Sequence, residues 1–347
     1  MKKKCRVLVT GVGGGVGQAI LKALRLSNVC KTIIAGDISP MAAGLFLADE
    51  SILLPRVESK NGLEKIKKIL NQNEIDLVLP GNEYELMFFS LNKDEIENST
   101  KAKVVIAPPD TVLIANDKWS TAEFLRKNGL PYAESYVPKY YIDALTVSKK
   151  WGFPIILKAR SGTSSRNVHF IRKEEDLKMQ FCKTPNPMLQ KVIQQPTNGL
   201  GHEYTCSIFK SLSGKIQGPF IARRTVRGGT SWLIEVNKFP KIRETLLKIG
   251  ENLKYHGPLN VQLMMTNQGA VPFEINARFS GTTGIRAFFG FNEPEMCVHE
   301  IYFGKKITKP AVGSGLALRY HDEVYIPGVQ EKSLRLGKHK RQKVIWT

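Results

Sequence analysis

Residues 261–279 read VQLMMTNQGAVPFEINARF and contain two strand patterns separated by a short polar turn. Residues 261–266 and 270–275 are predominantly apolar and have the length of β-strands. The segment Asn267-Gln268-Gly269 between them is typical of a three-residue hairpin turn. The stretch therefore predicts an antiparallel hairpin.

Four polar side chains of this hairpin are predicted to share one face. If the strands pair symmetrically about Gln268, Gln262 and Glu274 lie directly opposite, because each is six residues from that centre. Side chains alternate between the two faces of a strand, so Asn276 and Arg278 should project from the same face as Glu274. The hairpin would then present three oxygen ligands and one guanidinium together.

These residue types suit phosphate chemistry. Magnesium prefers hard oxygen ligands and retains waters and substrate phosphates, which fits Gln262, Glu274 and Asn276. Arg278 can hold a transferring phosphoryl group or a carboxylate. The alternative, a surface hairpin with a polar outer face, is weakened by an apolar opposite face. That face is predicted to comprise Phe273, Ile275, Ala277 and Phe279.

Two upstream segments have the composition of a nucleotide site. Lys158 ends a strand pattern and precedes a loop of small residues, which lets backbone N–H groups and hydroxyls approach phosphate oxygens. Further on, the backbone of 189–193 could pair with an adenine, and Glu203 could accept ribose hydroxyls. Either segment alone is also compatible with an ordinary hairpin. The loop residues are Ser161, Gly162, Thr163, Ser164 and Ser165.

The first third of the chain alternates strand and helix patterns, which is typical of a parallel sheet covered by helices. Its Gly11–Gly17 segment follows a strand and opens a helix, a context that can hold a phosphate. Asp37 ends the next strand, where a dinucleotide-binding protein keeps its ribose carboxylate. These residues are compatible with a nicotinamide-dependent enzyme. They are equally compatible with a glycine loop that only permits a tight turn.

The composition limits which binding partners and which cellular compartment are expected. The chain has 51 Lys and Arg against 31 Asp and Glu, a net charge of +20, which favours anionic partners or a solubilising surface. No recognition helix, zinc finger or aromatic RNA-binding sheet is recognisable, so nucleic acid is not favoured. Five cysteines without a CxxC pair argue against a zinc ribbon and a disulfide framework. No apolar run approaches about 18 residues, so we expect a cytoplasmic protein without a membrane span.

In combination, these motifs resemble the ATP-grasp superfamily, most closely the branch that is similar to one half of the carbamoyl phosphate synthetase large subunit. The resemblance runs in order from about Met1 to about Phe303. It includes Val7-Leu8-Val9-Thr10-Gly11, Gly36-Asp37-Ile38-Ser39 and Leu79-Pro80-Gly81-Asn82-Glu83 in the first part of the chain. It implies that the first domain binds no dinucleotide and that its loops, with Gly13 and Glu83, face the acceptor substrate.

The resemblance also implies roles for individual residues. Lys118 and Lys158 would touch ATP phosphates, the loop Ser161–Ser165 would cover them, and Arg278 would stabilise the phosphoryl group. Three further arginines beside a glycine pair would bind the substrate carboxylate or acyl phosphate, unless they face solvent. The adenine hinge would be Gln190, Lys191, Val192 and Ile193, the ribose carboxylate Glu203, the metal ligands Gln262, Glu274 and Asn276, and the three arginines Arg223, Arg224 and Arg227.

The implied fold class is α/β (α+β), with a Rossmann-like pre-ATP-grasp domain followed by a two-subdomain ATP-grasp fold of antiparallel sheets and helices. We expect the first domain over 1–115, a small lid subdomain over 116–187, and a large subdomain with the metal site over 188–315. Residues 316–347 should form a strand, near Arg319–Tyr325, and a basic extension.

The implied function is an ATP-dependent ligase that joins a carboxylate to an amine or related nucleophile through an acyl phosphate, releasing ADP and phosphate. Its cofactors would be ATP and Mg²⁺ or Mn²⁺, with two ions, and its substrates small-molecule or peptide carboxylates and amines. A homodimer is expected by family analogy. Two alternatives stay open: a nucleotide- or polyanion-binding module without turnover, and an NAD(P)-dependent oxidoreductase that uses the Gly11 loop.

Overall fold

We describe a computed structural model of the chain over residues 5–162, 167–194, 201–327 and 329–335. In these ranges the chain forms three β-sheets of five, four and six strands, with helices packed against them. No helix of the described ranges is both long and apolar enough to cross a membrane. The predicted loop residues Thr163, Ser164 and Ser165 and the basic extension after residue 335 lie outside the described residues.

The first sheet is parallel, with strand order β3-β2-β1-β4-β5. Its strands are almost continuously apolar because helices cover both faces; Val7, Val9 and Leu77–Leu79 are fully buried. The strands are β1 (Arg6–Val9), β2 (Thr32–Asp37), β3 (Glu50–Leu53), β4 (Leu77–Leu79) and β5 (Lys103–Val104). The helices are α1 (Gly15–Ser27), α2 (Gly62–Gln72), α3 (Leu86–Leu91), α4 (Lys93–Ser99) and α5 (Pro109–Asn116), with 3₁₀ turns at Ala43–Phe46 and Glu83–Glu85.

The strand order reverses between β1 and β4, so the loops that follow these two strands border a crevice at the carboxyl edge of the sheet. Such switch points are where open α/β sheets bind ligands. The loop after β1 contains Gly13, and the loop after β4 leads into Glu83. Both residues predicted to face the acceptor substrate therefore lie at this crevice.

The smaller sheet is antiparallel, with strand order β6-β9-β7-β8. The predicted boundary after residue 187 falls at the first residue of β9, although β9 pairs with β7 and β6. We therefore propose that the lid subdomain extends to Lys191. The strands are β6 (Ser135–Tyr136), β7 (Ile155–Ala159), β8 (Val168–Ile171) and β9 (Pro187–Lys191), and the helices are α6 (Lys118–Lys127), α7 (Tyr141–Trp151) and α8 (Glu174–Phe181).

The larger sheet is antiparallel, with strand order β14-β13-β10-β11-β12-β15. The predicted C-terminal strand is present, but it covers Gly315–Leu318 and pairs with β12, earlier than the expected 319–325. The strands are β10 (Glu203–Lys210), β11 (Ile216–Arg227), β12 (Thr230–Val236), β13 (Gly257–Thr266), β14 (Gly269–Asn276) and β15 (Gly315–Leu318). The helices are α9 (Pro240–Asn252), α10 (Thr283–Phe288), α11 (Glu293–Cys297), a π-helical turn (Val298–Tyr302) and α12 (Glu331–Arg335).

Two hydrophobic cores join the first sheet to the larger sheet. One contains Leu8 and Val78 together with Val261 and Ile275, and the other contains Val7 with Phe220. The smaller sheet has a core of its own, formed by Ala144, Ile155, Leu157, Ile171, Leu177 and Leu189. Apolar burial therefore binds the first and larger sheets into one body, while the smaller sheet is packed separately.

Candidate active site

A cavity of about 400 Å³ lies between the smaller sheet and the larger sheet. Residues from 118 to 274 in the chain line it, and they include most of the predicted nucleotide and metal residues. These are Lys118, Lys158, Gly162, Gln190, Lys191, Val192, Ile193, Glu203, Gln262 and Glu274. The cavity therefore brings together the predicted nucleotide segments and the predicted metal hairpin, which are far apart in the sequence.

Lys158 is the most deeply buried cation of the cavity. Its side chain is only 5% exposed, and its Nζ donates to Gln190 Oε1 at 2.9 Å. Burial, followed by repulsion from Lys118, lowers the pKa of Lys158 to about 8, while the Glu274 carboxylate acts in the opposite direction. A buried ammonium with a neutral partner is costly, so a bound anion would be strongly favoured here.

Lys118 is placed by the start of α6. Asp117 caps this helix by accepting from the Trp119 N–H, and it also pairs with Arg160, which lowers its pKa against the opposing effect of burial. The Lys118 Nζ donates to the Gly162 carbonyl at 3.0 Å. This contact joins the first predicted phosphate residue to the start of the loop. Ser161 is exposed and does not line the cavity.

The predicted adenine hinge lies at the end of β9. Gln190 is buried and donates to Ser135 Oγ, while the Lys191 N–H donates to the Glu134 carbonyl at 2.8 Å. Strand β9 is paired on both sides, so the free strand edge expected over 189–193 is absent up to Lys191. Val192 and Ile193, which follow the last paired residue, also line the cavity.

The β13–β14 hairpin places Gln262 opposite Glu274, as predicted, but by a different path. Thr266 pairs with Gly269, so the turn has two residues instead of three, and the register shifts by one residue between 262 and 263. The shorter turn and the register shift offset each other, so Gln262 still lies opposite Glu274. Because the bulge adds Phe273 to β14, both Phe273 and Glu274 line the cavity, and the expectation that Phe273 faces the core is wrong.

Glu274 is the centre of the predicted ligand group. Its Oε1 accepts from Asn276 Nδ2 at 2.9 Å and from Gln262 Nε2 at 3.3 Å. Asn276 is buried and reaches the cavity only through this contact. The set thus provides one carboxylate and two amides, which suits a hard divalent cation held partly by phosphates. In the described ranges no group of three His, Cys, Asp or Glu side chains offers a denser site.

Arg224, one of the three arginines predicted to bind the substrate carboxylate or acyl phosphate, lines the cavity. It faces Glu203 across the sheet, and its Nε donates to the Glu203 carboxylate at 3.1 Å. Its Nη2 donates to the same carboxylate and to Gln262 Oε1, the latter at 2.7 Å. In the sequence, only the alternation of side chains along β11 could have distinguished Arg224 from Arg223 and Arg227.

The other two arginines of that segment do not line the cavity. Arg223 faces the opposite side of the sheet and pairs with Glu235, because consecutive strand residues point to opposite faces. Arg227 is exposed and lies over the Trp232 ring at 5.7 Å. Their predicted role in binding the substrate carboxylate or acyl phosphate stays a prediction.

Arg278 lies at the crevice of the first sheet, against Glu83, and does not line the cavity between the two antiparallel sheets. Its Nη2 donates to Glu83 Oε2 at 2.7 Å, and its Nη1 donates to the Phe279 carbonyl. The predicted phosphoryl arginine and the predicted acceptor-loop carboxylate thus form one ion pair. This pair connects the end of β14 with the loop after β4.

The glycine loop after β1 is closed by its own carboxylate. The Gly13 N–H donates to Asp37 Oδ2 at 2.7 Å, and the other Asp37 oxygen accepts from the Ser39 N–H. Asp37 therefore links the glycine loop to the end of β2 through two backbone N–H groups. A Cβ on Gly17 would lie 2.5 Å from the Gly11 carbonyl oxygen, so close packing of the loop against α1 explains this glycine.

Apolar residues complete the cavity, and sequence reasoning did not identify them. They lie on the outward face of strands whose other face is buried, as Ile156 does between Ile155 and Leu157. The alternation of side chains along these strands was the sequence feature that could have identified them. A flat apolar surface between two sheets suits an aromatic base. These residues are Ile156, Val168, Phe170, Val226, Met264 and Phe273, with Gly229 beside them.

Family models match two parts of the chain. Residues 7–105 match the PylC-like N-terminal domain, and residues 200–324 match the model described as ATP-grasp in the biosynthetic pathway with Ter operon. A carbamoyl-phosphate synthase of Methanobrevibacter smithii is 24% identical over 263 residues, covering 70% of this chain and 66% of that protein. The carbamoyl phosphate synthase large chain of Pyrococcus furiosus is 20% identical over 285 residues, covering 78% of this chain and 26% of the large chain.

A solved structure has the same fold. The biotin carboxylase domain dimer of the Hydrogenobacter thermophilus 2-oxoglutarate carboxylase, in complex with MgADP, ADP and bicarbonate, matches with a TM-score of 0.72 at 15% identity. The match covers 91% of this chain and 74% of that chain. Together with the family models, it confirms the predicted resemblance and fold class. The chain spans about two thirds and about a quarter of the two curated relatives named above.

Proposed function

We propose that the chain, which matches an ATP-grasp family model over residues 200–324, is an ATP-dependent ligase of the ATP-grasp superfamily joining a carboxylate to an amine or related nucleophile. The observation that carries the proposal is the cavity between the two antiparallel sheets. Lys118, Lys158, Glu203 and Glu274 come from four separate segments and meet there. A site for a polyphosphate needs such convergent cations beside an oxygen ligand for a divalent ion.

The proposed reaction has two balanced steps. A carboxylate oxygen of the substrate attacks the γ-phosphorus of ATP; the new P–O bond forms as the bond to the ADP oxygen breaks, giving an acyl phosphate. The amine then attacks the acyl carbon, the carbon–oxygen bond to phosphate breaks, and the amine loses a proton. Positioning and charge neutralisation supply most of the rate in such transfers.

Three basic residues would serve the phosphates. Lys158 and Lys118 line the cavity, so we assign them to the phosphate oxygens of the nucleotide. Arg278 lies at the crevice, paired with Glu83, and we assign it to the acyl phosphate where the two substrates meet. Glu274 and Asn276 would hold Mg²⁺, which supplies charge neutralisation when bound.

The acceptor would bind at the carboxyl edge of the first sheet. Gly13 and Glu83 both border this crevice, and Glu83 already contacts Arg278. A carboxylate at this position can accept a hydrogen bond from the N–H of a neutral amine, the form that attacks the acyl carbon. The nicotinamide alternative is disfavoured because Asp37, its expected ribose ligand, is bonded to the Gly13 and Ser39 N–H groups.

A screen for ADP release tests the proposal. The chain is incubated with ATP, Mg²⁺ and pooled carboxylates and amines, and Glu274→Ala is compared with Glu235→Ala, a carboxylate on the opposite face of the sheet. We expect ADP release that requires one acid and Glu274 but not Glu235. Nucleotide binding without ADP release in any pool would instead support the binding-module alternative.

Location and assembly are part of the proposal. The biotin carboxylase domain named above was solved as a dimer, and we propose a homodimer for this chain. Light scattering at micromolar concentration would give twice the monomer mass of 38.9 kDa, and a monomer at all concentrations would refute it. We also propose a cytoplasmic location, which fractionation of cells that express the chain would test.

A further inference from the structure

Arg224 is fixed in the nucleotide cavity by three different side chains. It is 9% exposed; its Nε and Nη2 donate to Glu203, Nη2 also donates to Gln262 Oε1, and Nη1 donates to Ser231 Oγ at 3.0 Å. A planar guanidinium with its N–H groups engaged on a carboxylate, an amide and a hydroxyl has little freedom to move. The positive charge is therefore a permanent part of the cavity wall.

This contact determines how Gln262 is oriented. Its Oε1 accepts from Arg224 and its Nε2 donates to Glu274, so both ends of the amide have partners that suit only this orientation. The Gln262 oxygen, which was predicted to ligate magnesium, thus faces a guanidinium. A divalent ion on the same oxygen would stand beside this cation, and the neutral amide carries no charge to offset the repulsion.

The remaining ligands have no such conflict. Glu274 and Asn276 contact each other, and no cation donates to either of them in the described part of the chain. They are sufficient for one ion that completes its shell with phosphates and water. The Arg224 Nη1 has a second N–H without a partner among the described residues, which can donate to a nucleotide oxygen.

We propose that Arg224 takes the place of one of the two divalent ions, so that the cavity binds a nucleoside triphosphate with a single ion on Glu274 and Asn276. This inference rests on the proposed nucleotide role of the cavity. It makes Arg224 a nucleotide-binding residue, and it replaces the expectation of two ions. It also gives a role to the arginine that lies between the predicted ribose carboxylate and the predicted metal ligand Gln262.

Counting bound Mn²⁺ by electron paramagnetic resonance tests the proposal without turnover. The full chain is held in excess over a non-hydrolysable ATP analogue, and Mn²⁺ is titrated to saturation. We expect one ion per bound nucleotide in the unaltered chain and in Arg223→Gln, whose arginine lies on the opposite face. In Arg224→Gln, the Gln262 oxygen is released, and we expect two ions together with at least tenfold weaker nucleotide binding in EDTA.

Two ions in the unaltered chain would overturn the inference, whether or not Arg224→Gln folds, and would leave the proposed ligase intact. One ion in a folded Arg224→Gln variant with unchanged affinity in EDTA would also overturn it. If the unaltered chain binds no ATP analogue with or without Mn²⁺, the proposed function itself fails. The two failures are therefore distinguishable.

Discussion

Nucleotide affinity should fall as the pH rises through the pKa of Lys158. In the free chain, burial and the neighbouring Lys118 lower this pKa from 10.5 to about 8, so the side chain loses its proton within an accessible pH range. A bound polyphosphate places negative charge beside Nζ and favours the protonated form. Free and bound chains therefore differ in protonation between pH 8 and 10.5, and binding must take up a proton in that window.

The size of the change in nucleotide affinity follows from the pKa shift of Lys158. If the phosphates restore a pKa of about 10.5, the dissociation constant rises about tenfold for each pH unit above 8, and by roughly tenfold between pH 7.5 and pH 9. Proton uptake should be about 0.9 per nucleotide at pH 9 and about 0.1 at pH 7, by the same linkage. Below about pH 7 the contribution becomes negligible, because Lys158 is then almost fully protonated in both states.

Calorimetry in two buffers of different ionisation enthalpy measures both quantities for an ATP analogue. The matched control is Lys158→Arg, whose guanidinium keeps its proton throughout this range. We expect its affinity to be flat from pH 7.5 to 9 and its proton uptake to vanish. An unaltered chain with constant affinity and no proton uptake over that range would refute the reasoning, because it would mean either that the pKa of Lys158 is not lowered in the free chain or that Lys158 does not meet the phosphates.

Three further predictions concern stability and reactivity. Burial raises the pKa of Glu85 from 4.5 to about 7, so ionisation of its carboxylate destabilises the fold progressively between pH 4.5 and 7; Glu85→Gln should raise the unfolding free energy by about 3 kcal/mol at pH 8, and urea unfolding should show the gain vanishing below pH 4.5. Arg286 and Glu293 are fully buried and paired at 2.9 Å, so Arg286→Met should cost about 3 to 5 kcal/mol, seen as a large drop in melting temperature; a change under about 1 kcal/mol would contradict this. Cys182 is the exposed cysteine, so a thiol reagent should label one site rapidly in the native chain and none in Cys182→Ser.

The metal hairpin shows what the sequence could predict and why. Strand composition and the turn residues predict that Gln262 pairs with Glu274, but through a turn that is one residue too long and a ladder without a bulge, and these two errors offset each other. The bulge that restores this pairing leaves no clear mark in the sequence, because an extra apolar residue such as Phe273 is compatible with either face. The opposition was therefore predicted correctly, whereas the turn length and the orientation of Phe273 were not.

The contacts of individual polar side chains were harder to predict than the pairing of the strands. Arg223, Arg224 and Arg227 look equivalent as a basic run, but strand alternation sends Arg223 to Glu235 and Arg224 to Glu203. The choice between these faces depends on which side of β11 carries the cavity, and that is decided by the packing of a separate sheet. Asp37 is a similar case, since only the folded loop reveals that its carboxylate accepts from Gly13.

The bulge in β14 gives the hairpin one spare residue. Because Leu263 pairs with Pro272 and Gln262 with Glu274, deletion of Phe273 alone would leave a regular ladder with Glu274 still opposite Gln262. A deletion of one turn residue would be absorbed in the same way, by loss of the bulge. A second deletion would exceed this allowance and move Glu274 to the side of the sheet that holds Ile275 in the core.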